Sequence, residues 1–120
     1  IDIPEGVTYL GDSVFHDCDA LLQVNIPSSV TSIGRQAFYY CSELTEVVIS
    51  EGVTSIGEDA FYWCTSLTGE SPYTLVDGVK VYLYERSNYP AYFTSPTSYE
   101  ACFYKCKGLT DYTNIPSNWK

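Results

Sequence analysis

Basic residues are scarce in this chain. Six lysines and arginines stand against fifteen aspartates and glutamates, a formal net charge of −9. That balance argues against nucleic acid and anionic membrane surfaces as partners, because phosphate binding draws on Lys and Arg. Histidine is scarcer still, with His16 alone in the chain. A nucleophilic Ser or Cys needs a base beside it, and one imidazole leaves few choices; Cys18, two residues away, is assigned inward by the pattern described below. There is no Gly-rich phosphate loop, no His-rich metal cluster and no nucleophile elbow. No carboxylate sits in an apolar setting that would raise its pKa for general-acid work. The chain is read as non-catalytic and without a cofactor. No apolar run approaches 20 residues, which excludes a helical membrane span, and no signal peptide is visible. The first residues, Ile1-Asp2-Ile3-Pro4, have the form of a strand end without its preceding leucine, so the chain is read as a fragment or mature portion of something longer.

What the chain has instead is a period. Residues 3–25, 26–48 and 49–71 superimpose at a spacing of 23. The aligned columns are Val7, Val30 and Val53; Leu10, Ile33 and Ile56; Gly11, Gly34 and Gly57; Val14, Ala37 and Ala60; Phe15, Phe38 and Phe61; Cys18, Cys41 and Cys64; and Leu21, Leu44 and Leu67, with Val24 and Val47 closing the pattern. A fixed period of this size is the mark of a solenoid. Within a unit, Leu44, Val47 and Ile49 point inward and Thr45, Glu46 and Val48 outward, which suits a short strand. Val53 to Ile56 forms a second short β stretch ended by Gly57. Ala60, Phe61 and Cys64 then fit one helical turn. The expected fold is a β-rich repeat solenoid of parallel stacked coils with short helical turns. A lone coil buries too little to offset its ordering, so stability must be collective.

The stretch I-P-S-S-V-T-S-I-G-R-Q-A-F-Y-Y-C-S-E-L-T, from Ile26 to Thr45, resembles the BspA-like class of leucine-rich repeats. The lead I-P-x-x-V-T-x-I-G and the core A-F-x-x-C-x-x-L occur together three times in register over residues 3 to about 71, with a degraded copy later. The resemblance implies a secreted or surface-exposed bacterial or protist protein used in adhesion, in some members to matrix proteins such as fibronectin or fibrinogen.

Five cysteines invite a disulfide reading, but Cys18, Cys41 and Cys64 share one repeat position and Cys106 takes the same place in the later copy. Residues at one repeat position point the same way and not toward each other, so these four are expected as buried free thiols in a core ladder. Cys102 stands where Ala60 stands in the third unit, either as a packing substitute or bonded to Cys106. Cys102-x-x-x-Cys106 has loosely suitable zinc spacing, but no second ligand pair exists and His16 lies in the first unit, so no metal is expected.

The repeat breaks after Thr68. The next F-x-x-C-x-x-L, Phe103 to Leu109, follows Phe61 by 42 residues, so nineteen have been added to the period of 23. An insertion over about 72–97 and a degenerate repeat over about 98–116 follow, in one domain spanning residues 1–120. Thr74 to Tyr82 carries Asp77-Gly78 between strand-forming runs, a hairpin signal. Ser87 to Ser98 reads as a long loop with turns at Pro90 and Pro96. Insertions of this kind either cap the open end of a stack, which needs covering, or carry binding.

The places between Phe and Cys are variable: His16 and Asp17, Tyr39 and Tyr40, Tyr62 and Trp63, Tyr104 and Lys105. Stacking sets them in two stripes, where Tyr and Trp give contact area at low entropic cost. The candidate partner-binding residues are Tyr39, Tyr40, Tyr62 and Trp63, with Tyr82, Tyr84, Tyr89 and Tyr92 from the insertion. The partner is expected to be a protein or glycan. The outward strand face (Leu22, Gln23, Asn25; Thr45, Glu46, Val48; Thr68, Gly69, Ser71) defines no pocket. Charge is uneven: residues 1–71 hold eleven acids and one base, a net of −10, and residues 72–120 hold four acids and five bases, a net of +1. This polarity supports the alternative reading, copies joined head to tail in a filament or surface layer.

Overall fold

The structure, a computed structural model, describes residues 1–50, 52–53, 55–85 and 102–120. Two parallel ladders run across the repeats. β1 (Tyr9–Leu10), β3 (Ser32–Ile33) and β5 (Ser55–Ile56) form one, pairing Leu10 with Ile33 and Ile33 with Ile56. β2 (Gln23–Ile26) and β4 (Glu46–Ile49) form the other, with Val24 on Val47 and Ile26 on Ile49, and Asp2 bridges to Asn25 on the far side of β2. Each pairing joins residues 23 apart, so identical columns lie on top of one another. This is a repeat fold with parallel strands.

A third ladder replaces the expected helical turn. Residues 58–63 form turns, and among the described residues no α-helix occurs. The N–H groups of Ser13, Phe15 and Asp17 donate to the carbonyls of Arg35, Ala37 and Tyr39, at 2.8 Å each. Gln36, Phe38 and Tyr40 repeat this onto Glu58, Ala60 and Tyr62 at 2.8–2.9 Å. The intervening N–H groups turn back within their own repeat, as Cys41 does to Phe38. An α-helix would spend these donors inside the segment. Here the backbone enters the left-handed region at Ser13, Gln36 and Asp59 and again at Asp17, Tyr40 and Trp63, which aims alternate N–H groups at the next repeat. The expectation of one helical turn per unit is corrected accordingly; among the described residues helical character survives as 3-10 turns at Leu83–Glu85, Tyr112–Asn114 and Ser117–Trp119.

The core is the set of expected columns, packed most tightly at the middle. Phe38, Phe61, Cys41, Cys64, Ala37 and Ala60 are fully buried. Phe15, Cys18 and Leu21 are only half-buried and Val14 is exposed, because among the described residues no repeat lies beyond theirs. Cys18 therefore departs from the expectation of a buried thiol. Gly34 allows the close approach of repeats: a Cβ there would stand 2.6 Å from Asp12 Oδ1 and 2.7 Å from the Asp12 backbone nitrogen.

Beyond β4 the strand ladder ends. Thr68 donates to the Thr45 carbonyl at 3.2 Å, but Gly69 takes φ +73 and bridges Leu109 instead of pairing with Glu46. The chain then forms the expected hairpin, β6 (Tyr73–Val76) against β7 (Val79–Tyr82), turning on Asp77 and Gly78, both with positive φ as a two-residue type I′ turn requires. The last repeat re-enters the turn ladder: Phe61 donates to Cys102 and Trp63 to Tyr104, at 3.0 and 2.8 Å. Cys102 thus sits where Ala60 sits one repeat earlier, buried and outside any disulfide. Trp119 closes this end. Its carbonyl accepts from Phe103 at 2.7 Å and its ring extends the phenylalanine column. The long loop expected over Ser87 to Ser98, including Tyr89 and Tyr92, lies outside the described residues.

Candidate functional site

The side chains between Phe and Cys form the first stripe as expected. His16, Tyr39, Tyr62 and Tyr104 stack ring on ring, with three successive centroid separations of 4.8 Å and interplanar angles of 13°, 8° and 27°. That interval is the distance between neighbouring strands. The rings therefore follow the backbone ladder that carries them. Tyr40 and Trp63 make the second stripe at 5.4 Å, and Lys105 Nζ caps it, 5.7 Å from the Trp63 ring and 5.5 Å from Tyr104. Tyr39, Tyr40, Tyr62 and Trp63 are all half-buried. Burial, then the neighbouring tyrosines and Asp59, hold the Tyr39 and Tyr62 hydroxyls protonated above their ordinary range.

The stacking has a chemical consequence. Each inner ring has its two faces covered by the rings above and below, so the strip presents edges and hydroxyls outward. Aromatic edges carry positive partial charge, and the hydroxyls donate and accept. A sugar ring stacks on an aromatic face, and inside the strip those faces are taken.

Tyr82 and Tyr84 belong elsewhere. They stack on each other at 5.5 Å, Tyr82 meets Tyr73 edge-on across the hairpin and Tyr84 meets Trp119. The Tyr82 hydroxyl donates to Glu70 at 3.0 Å, which with burial pushes its pKa up to about 12. Lys80 reaches both oxygens of the same carboxylate at 2.9 and 3.0 Å. Lys80 and then Tyr82 hold Glu70 below the usual carboxylate range. The two insertion tyrosines thus brace the hairpin.

The cysteine column is a hydrogen-bond ladder. The thiols of Cys41, Cys64 and Cys106 donate to the carbonyls of Phe15, Phe38 and Phe61 at 3.0, 3.1 and 3.1 Å. Burial pushes the Cys41 thiol up to about 11 and raises Cys64 and Cys106 as well. Protonated and enclosed, these groups are poor nucleophiles. Among the described residues no group of three or more His, Cys, Asp and Glu is placed to hold a metal. No helix among them is long and apolar enough to cross a membrane.

The strand face departs from its expectation twice. Ser71 is fully buried, its N–H and hydroxyl bound to the two oxygens of Asp111 at 2.8 and 2.6 Å, which ties the start of the hairpin to the last repeat. A groove of about 550 Å³ also opens beside β4, walled by the Thr68 to Pro72 segment and by Tyr73, Leu75 and Lys80 of the hairpin. The signal in the sequence was Gly69, standing in the column of Gln23 and Glu46. Trp119 was missed because it occupies no repeat position.

Comparison with known proteins agrees with this geometry. The family model for the BspA type leucine-rich repeat region matches residues 1–110, in 6 copies. A leucine-rich repeat protein from Bacteroides capillosus is 35% identical with a TM-score of 0.54, covering 65% of this chain and 61% of that one. The T. pallidum leucine-rich repeat protein shares the fold at 21% identity and a TM-score of 0.59, covering 91% of this chain and 55% of its own. The chain thus spans little more than half the length of either. No curated protein matches it. Repeats of this type are generally non-catalytic, often surface-associated, and suggest a protein-interaction module. With most of its length matched by that model and its columns stacked in the corresponding register, the chain belongs to the BspA-type leucine-rich repeat family.

Proposed function

We propose that this domain is a short solenoid serving as an adhesion or protein-interaction module of a cell-surface or secreted protein, and that it engages a protein partner along the aromatic strip. The observation that carries the reading is the strip itself: half-buried, mutually stacked rings held at the strand interval, offering edges and hydroxyls beside the Lys105 ammonium. Such a surface is rigid before binding, so little side-chain entropy is lost on contact. The covered ring faces favour a protein over a glycan.

The test is the combined variant Tyr40→Ser, Tyr62→Ser and Trp63→Ser, with folding checked by circular dichroism. It is assayed against immobilised extracellular-matrix proteins and a glycan array. Binding of the wild-type chain to a matrix protein, lost in the variant, is the expected result. A matrix protein that binds both forms equally would remove the strip from the account, and binding only to glycans would replace the protein reading.

A further inference from the structure

The open edge of β4 has the geometry of a docking site for one more strand. In β2, the Asn25 N–H donates to the Ile1 carbonyl at 3.0 Å and the Asn25 carbonyl accepts from Ile3 at 3.1 Å, so Asn25 spends its backbone toward the first repeat. Its neighbours Val24 and Ile26 therefore face β4, and the Ile26 carbonyl accepts from Ser50 at 3.0 Å. Backbone direction alternates along a strand. By the 23-residue register, Val48 faces β2, while the N–H and C=O groups of Val47 and Ile49 face away from it. Among the described residues no strand pairs with that side.

The groove that lies there runs the length of β4. A four-residue strand is roughly 13 Å long, and the groove of about 550 Å³ is lined by all four residues of β4, Glu46 to Ile49. The hairpin walls the groove through Tyr73, Leu75 and Lys80, so this edge is flanked and is not the free side of a flat sheet. Val47 and Ile49 are half-buried where their counterparts Val24 and Ile26 are 0% and 1% exposed, and Leu67, Val48 and Leu75 add apolar lining. An incoming strand with apolar inward residues completes that burial. Charge selects its outward residues. Lys80 is neutralised by Glu70, whereas Glu46 is exposed and, among the described residues, is met by the neutral Gln23 amide at 3.0 Å and by no cation, inside a region of net charge −10.

We propose that the groove binds an extended segment of a partner protein by strand addition to β4, with apolar residues inward and lysine set against Glu46. The proposal rests on the interaction-module reading but not on the aromatic strip.

The probe is an acetylated, amidated heptapeptide alternating valine with lysine and threonine, with a second peptide carrying glutamate for lysine. Amide exchange is followed by NMR. Addition of the lysine peptide slows exchange at Val47 and Ile49 on the order of tenfold, and Glu46→Lys weakens its binding about fivefold while favouring the glutamate peptide. No slowing, or equal binding of both peptides to the wild-type chain, overturns the proposal. Slow exchange at both amides in the free, dilute protein also overturns it, because this chain then covers its own edge; slowing that grows with protein concentration does so by assigning the edge to a second copy. The strip variant tested above keeps the peptide, so loss of one site is distinguishable from loss of the other.

Discussion

Repeat two and its neighbours carry nearly the same side chains and bury them differently. Phe38 is fully enclosed, with Phe15 stacked at 5.4 Å on one side and Phe61 at 5.1 Å on the other, while Phe15, with one such neighbour, is half-buried. Val24 and Ile26 in β2 are sealed between Ile1–Ile3 and β4; Val47 and Ile49 in β4 have β2 on one side and the groove on the other. Residue type cannot account for the contrast. Burial here belongs to the stack, each repeat supplying half the environment of the next, and surface chemistry appears where a repeat is missing a neighbour.

The contrast is broken most sharply at the phenylalanine column. Phe38→Ala removes a ring stacked on both faces, and the enclosed site has no route to collapse, so we expect a loss of about 3–5 kcal/mol. Phe15→Ala should cost roughly half as much, because solvent already reaches the ring and the transfer term shrinks with buried area. Urea unfolding measures both through the midpoint at constant slope. Equal losses would mean that stacking on both sides adds nothing, and the collective account would fail.

Much of this was legible because the chain repeats itself. The Phe, Cys and Leu columns were assigned inward from their recurrence, and Asp77-Gly78 marked the hairpin turn. The turn ladder was not legible. Ala60, Phe61 and Cys64 have the spacing of a helical turn; of the residues that break it, Trp63 is not a type that signals positive φ, and Asp59, a type that tolerates it, shares its column with Ser13 and Gln36, which give no such signal. What holds them there is the next repeat's carbonyls, which spacing within one unit does not reveal. The aromatic stripes could be placed from the register, but not the fact that each ring covers its neighbour's face. The groove depended on one glycine, Gly69, turning the chain away from its ladder. The cap depended on Trp119, which lies outside every column.

The thiol column sharpens the same contrast through pH. Cys41 is raised from 9.0 to about 11, chiefly by burial, so the folded state holds its proton where the unfolded chain releases it. Stability from this group is fully present below pH 9 and declines as pH rises toward 11, by about 2–3 kcal/mol for a shift of two units. Tyr39 and Tyr62 are raised as well, chiefly by burial, and add a decline above their ordinary 10.0. Cys41→Ser separates the two: the hydroxyl can still donate to the Phe15 carbonyl but does not titrate in this window. Unfolding measured from pH 7 to 11 should show the variant losing less stability with rising pH than the wild-type chain. A parallel decline would take the thiol out of the account.

The smallest effect tests how closely the repeats approach. Gly11 and Gly34 occupy the same column, but a Cβ on Gly11 would meet nothing within 4 Å, whereas one on Gly34 would strike the backbone and carboxylate of Asp12. The Asp12 carboxylate cannot simply withdraw, since its Oδ1 accepts from the Arg35 N–H at 2.9 Å and so helps join the two repeats. Gly34→Ala therefore forces a shift of main chain as well as side chain, with an expected cost of about 1–3 kcal/mol. Gly11→Ala, facing open space, should change stability by no more than about 0.5 kcal/mol. If the two alanines cost the same, the column is fixed by something inside each repeat, and the pressure of one repeat on the next is not what places glycine there.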